Sequence, residues 1–275
     1  MNEANNDDLR FGFGRNWEDF IRRNFSEERV EISRRHLLGF LELENLNGHS
    51  FLDIGCGSGI HSLAAFRSGA DTIFGFDYDQ NSVNASRVCH GHAGRPANWT
   101  ITQGSVLDES FMETKVPQAS LVYSWGVLHH TGDVWRAIRN AAGRVAPGGL
   151  FYIALYSADA DVQPSTEFWL EVKQRYNRAG WFGRQKMLAW YIWRFMIGGD
   201  YKNVRPTLRR FKEHKNKRGM SLLVDIRDWL GGWPMEYVKD AEVARLCGEL
   251  GLSPVRTKTG EACHEYLFRK PVTVA

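Results

Sequence analysis

Cysteine is scarce in this chain: four residues in 275, Cys56, Cys89, Cys247 and Cys263, with no Cys-x-x-Cys pair. That excludes a disulfide framework and leads us to expect reduced thiols in the cytosol. Long apolar runs are missing too. The most apolar stretch, Met187 to Ile197, carries Arg194 in its middle and falls short of the roughly 18 residues a bilayer-spanning helix needs. The opening residues, Met1 to Arg10, are polar and acidic, unlike a secretory leader, so a cytoplasmic protein is expected. Neither an internal repeat nor a low-complexity tract is present. With 43% apolar and 24% charged residues, disorder and collagen-like repeats are excluded. The length suits one large domain, or one domain carrying an insertion.

Net charge is small as well, +3, but it is unevenly spread. Glu171 to Arg218 holds 14 Lys/Arg against 3 Asp/Glu, and the rest of the chain is acidic. Six of the ten tryptophans (Trp169, Trp181, Trp190, Trp193, Trp229, Trp233) fall in or near this stretch, which marks a region with its own task.

Between Trp17 and Leu43 apolar side chains return every three or four positions, predicting helices. From Ser50 strand and helix alternate: strands at 50–55, 72–77, 100–103, 120–125 and 150–156, with helices at 61–69, 81–89 and 134–145 between them. Such alternation predicts a parallel sheet covered on both faces. It stops at Tyr156 and resumes with a helix at 241–250 and strands at 253–258 and 264–269. The expected organisation is a helical cap (1–48), a discontinuous sheet domain (49–156 and 240–275), and a helical, basic, Trp-rich insertion (157–239). In open α/β sheets ligands sit beyond the carboxyl ends of the strands, where an insertion can roof the site.

The sharpest local pattern is Asp53-Ile-Gly55-Cys-Gly57-Ser-Gly59 at a strand-to-helix turn. Glycines there allow a tight turn and close approach of the backbone to a ligand. A dinucleotide fingerprint would need glycine where Ile60 stands, and a phosphate-binding loop would need a following Gly-Lys-Ser/Thr, which is missing. Asp77 ends the second strand, where a carboxylate can accept both hydroxyls of a ribose.

Together these residues resemble the class I S-adenosylmethionine-dependent methyltransferases, of the small-molecule type found in quinone biosynthesis. The resemblance runs through the whole sheet domain: Leu52 to Gly59, Gly75 to Asp79, Gln103 to Asp108, Tyr123 to Gly132 and Val145 to Gly149, in order and at the family's spacing. It implies a Rossmann-like α/β fold with a seven-stranded, mostly parallel sheet, one antiparallel strand and a helical insertion. It also implies S-adenosylmethionine as cofactor. Asp53, Gly55, Gly57 and Gly59, with the Cys56 backbone, would face its methionine part. Asp77 would hold the ribose, Tyr78 would pack on the adenine, and Ser105 and Val106 would meet the adenine edge. Many relatives carry Asp where Ser105 stands, leaving Asp108 as a substitute or a structural residue. Trp125 would contact cofactor or substrate. Phe11, Arg15 and Trp17, in a glycine-punctuated aromatic segment, are candidates for a cap over the cofactor; packing on the sheet edge is the alternative.

Methyl transfer from a sulfonium needs alignment, exclusion of water and, for a hydroxyl acceptor, a base, but no metal. His129 and His130, after the fourth strand, are the candidate bases, since imidazole titrates near neutrality; capping the next helix is the structural alternative. Cys89-His90-Gly91-His92 is the one tight cluster of metal-ligand types and reads as a helix end. The Asn/Asp-Pro-Pro-Tyr motif of DNA and some protein methylases is absent after the fourth strand.

The insertion should select the acceptor. Gln185 to Ile197 carries aromatics on every side, predicting a buried helix or an interface. Asp225 to Tyr237 reads as a loop folded over a pocket, with Tyr156, Tyr191, Asp228, Trp229, Trp233 and Tyr237 as candidate walls. The basic run Arg205 to Arg218 allows a solvated face, attraction to an acidic molecule or membrane surface, or nucleic-acid contact. The expected partner is a small-molecule acceptor, methylated on oxygen, rather than nucleic acid; the chain would act as monomer or homodimer, and peripheral membrane contact stays open. Nitrogen, sulfur or RNA methylation, and a non-catalytic cofactor-binding role, are the alternatives.

Overall fold

The computed structural model describes residues 12, 14, 21, 25–160, 163–200, 206, 222–260 and 263–272. Phe11, Arg15, Trp17 and the run from Arg205 to Arg218, apart from residue 206, lie outside them.

After helix α1 (Glu27–Leu41), the chain alternates β1 (Ser50–Ile54), α2 (Ile60–Arg67), β2 (Thr72–Asp77), α3 (Gln80–His92), β3 (Trp99–Gln103), α4 (Glu109–Thr114) and β4 (Ala119–Trp125). A single 3-10 turn (Leu128–His130) leads into α5 (Val134–Ala142) and β5 (Val145–Tyr156). Helices α6 (Thr166–Arg178), α7 (Trp181–Tyr191) and α8 (Leu222–Gly231) follow, before α9 (Asp240–Glu249), β6 (Ser253–Lys258) and β7 (Cys263–Arg269) close the fold. The seven strands form one sheet in the order β3-β2-β1-β4-β5-β7-β6. Only β7 runs against its neighbours, pairing Leu150 with Arg269 and Tyr156 with Cys263.

Helix starts are set by short polar side chains. Asp79, Asp108 and Asp133 each accept a backbone N–H from the first turn of α3, α4 and α5, satisfying donors that have no partner inside the helix. The strand pleat then sorts side chains between two faces. Phe51, Leu121, Tyr123 and Tyr152 pack towards α1, α2 and α3, whereas Leu52, Ile54, Val122 and Ile153 pack towards α5 and α9. A third apolar cluster, with Trp169, Val172, Tyr176, Leu188, Ile226 and Leu230, ties α6, α7 and α8 together.

The expected sheet is therefore the one that forms, and two features of the insertion differ from expectation. The segment from Asp225 begins as helix, since α8 extends to Gly231, and only residues 232–239 run as a loop with one bridge, Val238 to Ser157. Helix α7 buries Leu188 but leaves Trp190 partly exposed, as is Trp193 just past its end, so it is no buried helix. Helix α4, six residues long, is too short to show an apolar period and escapes sequence reading.

Chain order reverses at β1: β2 and β3 build outwards on one side, then β4 returns to its other side. This opens a crevice at the carboxyl ends of β1 and β4. Tyr156 O accepts Val238 N–H (3.0 Å) and Val238 O accepts Ala158 N–H (2.8 Å), so the departing and returning ends of the insertion meet beside that crevice.

Candidate active site

A cavity of about 690 Å³ fills the crevice. One end is the glycine turn. Gly55 N–H and Cys56 N–H both donate to Phe76 O, at 2.9 and 3.0 Å, clamping the turn to the end of β2. Gly55 has φ +74, and a Cβ there would stand 2.4 Å from Val127 Cγ1, so only glycine lets this backbone reach the cavity. Asp77 Oδ2 accepts Gly57 N–H at 3.0 Å and Oδ1 accepts Asp79 N–H at 2.9 Å. These bonds, with one from the Ser82 side chain, orient the carboxylate.

Gly55, Cys56, Gly57, Asp77, Tyr78, Ser105, Val106 and Trp125 all line this cavity. Tyr78 is 57% and Trp125 41% exposed. Cys56 is buried, and desolvation drives its thiol well above its ordinary range, keeping it protonated. Asp53 and Gly59 stand behind the wall rather than on it. Ser62 Oγ–H donates to Asp53 Oδ2 at 2.6 Å, yet burial, with Asp77 nearby, lifts the Asp53 carboxyl to about 7. Burial likewise lifts Asp77 to about 6. The turn is therefore a desolvated acidic end suited to a cationic ligand. Asp108 is occupied as the cap of α4. Gly14 N–H donates to Asp79 Oδ2 at 2.9 Å beside the cavity; its neighbours Phe11, Arg15 and Trp17 lie outside the described residues.

The two histidines separate. His129 is buried off the cavity wall; its Nδ1 accepts Tyr156 N–H at 3.3 Å, and burial holds its ring well below its ordinary range, as neutral imidazole. His130 lies on the wall. Its Nδ1–H donates to Pro234 O at 2.7 Å, which leaves Nε2 as the basic nitrogen of the neutral ring. Glu236 N–H donates to His129 O at 2.9 Å, so the returning loop grips the whole 3-10 turn.

The opposite end is aromatic, formed by Tyr156, Trp229 and Trp233 with Asp228. The Tyr156 ring meets Trp229 edge-on at 6.0 Å and His130 at 5.7 Å. Tyr191 instead packs on Trp169 inside the insertion, and Tyr237 sits behind Tyr156 at 5.9 Å; neither reaches the wall. Cys89 is buried in the core, while His90 bonds Pro96 O and His92 stacks on Phe25. Sequence reading missed Arg29, His61, Cys263 and Lys173 on the wall. Lys173 alone left a local signal: it falls within the apolar period of Trp169, Val172 and Tyr176, where a lysine is out of place.

The methyltransferase-domain family profile matches residues 17–197. A ribosomal protein L11 methyltransferase of Shouchella clausii is 29% identical over 111 residues, 40% of this chain and 33% of that one. A ubiquinone biosynthesis O-methyltransferase of a Methylobacterium species is 32% identical over 124 residues, 44% of this chain and 46% of the relative. The chain thus spans between a third and a half of the length of these curated relatives. Among solved structures, an O-methyltransferase family protein of Burkholderia thailandensis shares the fold at TM-score 0.56 and 14% identity, over 95% of this chain and 60% of that one. A Synechocystis magnesium protoporphyrin IX methyltransferase with bound S-adenosylmethionine does so at TM-score 0.55 and 14% identity, over 98% of this chain and all (100%) of that one. A profile match across most of the chain, laid on this sheet and this glycine turn, places the protein in the class I S-adenosylmethionine-dependent methyltransferase family.

Proposed function

We propose that the protein transfers a methyl group from S-adenosylmethionine to an oxygen of a small-molecule acceptor, by in-line displacement and without a metal. The observation that carries this reading is one cavity bounded by the glycine turn and Asp77 at one end, by Tyr156, Trp229 and Trp233 at the other, with His130 also on its wall. When bound, the cofactor supplies a methyl group on a positive sulfur that is already electrophilic. Asp77 accepts the ribose hydroxyls, Tyr78 stacks on the base, and Ser105 and Val106 meet its edge. The desolvated Asp53 and Asp77 carboxyls ionise in favour of the cationic ligand, which compensates for their burial.

His130 Nε2 takes the proton of the acceptor hydroxyl, while the Pro234 carbonyl holds the tautomer. The insertion, residues 157–239, supplies the acceptor compartment and excludes water; residues 1–48 cap the cofactor. Aromatic walls with few polar groups suit a small organic molecule, and the relative named for ubiquinone biosynthesis supports an oxygen acceptor. No helix among the described residues is long and apolar enough to cross a membrane, and with four free cysteines we assign the cytosol.

Calorimetric titration with S-adenosylhomocysteine tests the reading, with NAD as control. Micromolar or tighter binding is expected, weakened at least about a hundredfold in Asp77→Ala; each tenfold is about 1.4 kcal/mol. His130→Ala should keep that affinity and lower turnover by about 100-fold or more. Binding of NAD alone, or turnover unchanged in His130→Ala, would overturn the corresponding step.

A further inference from the structure

Lys173 is the most deeply buried charged side chain on the cavity wall, only 1% exposed on α6. Its Nζ donates to the carbonyl oxygen of Trp229 and stands 4.3 Å from the centre of the Trp229 ring. An ammonium has three donors, and that carbonyl is the one hydrogen-bond acceptor it meets among the described residues. No carboxylate of the described residues lies within 4.0 Å; Asp228, also on the wall, acts on it only at longer range. Burial lowers the Lys173 amine to about 7. A buried cation is ordinarily paired with a carboxylate or hydrogen-bonded on all its donors. The Trp229 carbonyl and ring engage one face of this ammonium, and a ligand entering the cavity would supply the acceptor for its remaining donors.

Resting on the methyltransferase reading, we propose that Lys173 is the specificity determinant of the acceptor compartment, binding a carboxylate on a small aromatic acceptor. The acceptor ring lies among Tyr156, Trp229 and Trp233, and its hydroxyl is presented to His130. The Trp229 ring and carbonyl pre-position the ammonium, so little conformational freedom is lost when the carboxylate arrives. No bond to Lys173 forms or breaks; it is an acceptor-binding residue.

Matched acid and amide pairs test this: benzoate and benzamide, 3-hydroxybenzoate and its amide, cinnamate and cinnamamide, indole-3-acetate and its amide. Each is titrated calorimetrically into the protein with and without S-adenosylhomocysteine. At least one acid should bind ten or more times tighter than its amide. That ratio should fall to about one in Lys173→Met and survive within about threefold in Lys173→Arg. If Lys173 merely ties α6 to the end of α8, no acid–amide preference exists to be lost. Absence of a tenfold preference in every pair, or a preference undiminished in Lys173→Met, overturns the assignment. Lys173→Gln, with the same expectation, replaces the methionine variant should that one not fold. S-adenosylhomocysteine titrated into the wild-type protein reports separately on the cofactor end, so failure there and failure of Lys173 are distinguishable.

Discussion

Asp53 shows how one residue of the glycine turn links burial to pH. Its carboxyl, at the end of β1, is lifted to about 7 by desolvation, with a further push from Asp77. The unfolded chain would release this proton near the ordinary carboxylate value of 3.8. Between those two values the native state holds more protons than the unfolded state, so stability declines as pH rises from about 4 to about 7. Asp53→Asn keeps an acceptor for Ser62 and removes the titration. Urea unfolding at pH 4.5 and 7.5 should show the variant gaining about 2 kcal/mol on the wild type between the two conditions, since each unit of displaced pKa is worth about 1.4 kcal/mol and solvent relaxation discounts the total. An equal pH response in both proteins would refute the account. At the same scale, composition and spacing do not separate His129 from His130, and only the family resemblance singles out His130. The 3-10 turn sends the first into the core, where it accepts from Tyr156, and the second to the wall, where Pro234, 104 positions away, fixes its tautomer.

At the scale of elements, the chain's local signals agree with its structure for most elements long enough to show a period. The exceptions are instructive. Six-residue α4 shows no period, and the end of α8 merges with the stretch Asp225 to Tyr237, whose aromatics, acids and glycines read as loop. Helices α6, α7 and α8 hold together through a small cluster centred on Trp169, whose ring meets Trp229 at 5.2 Å and Phe195 at 5.1 Å. Trp169→Ala should cost about 3–5 kcal/mol of that cluster's stability, the usual loss for an aromatic deleted from a core. Hydrogen exchange should quicken in α6 and α8, while S-adenosylhomocysteine affinity changes by less than threefold, because the glycine turn rests on the sheet. Equal loss of protection in β1 and β4 would show that the insertion and sheet open as one unit.

For the whole molecule, a ligand seated at the switch between β1 and β4 binds the native state only, since its contacts come from β1, β2, β4 and the turns between them. S-adenosylhomocysteine at a hundred times its Kd should therefore stabilise the protein by about 2.7 kcal/mol. Calorimetric scanning would register this as a rise in Tm that disappears in Asp77→Ala. A Tm indifferent to the ligand in the wild type would show that it does not bind the native state, and a rise retained in Asp77→Ala would place its binding outside this crevice.

Sequence alone determined the features that depend on neighbours along the chain: the alternation of strand and helix, the glycine turn that must approach a ligand, and Asp77 ending the next strand. Each is a local matter of period, φ or spacing, so it can be read without knowing what lies across the molecule. Tertiary structure decided which side chains share the cavity. Lys173 from α6, Asp228 and Trp229 from α8, and His130 held by Pro234 converge because the returning insertion packs against the turn after β4. Burial, tautomer and pKa are set by that packing, through desolvation and partners distant in sequence, and no local pattern records them.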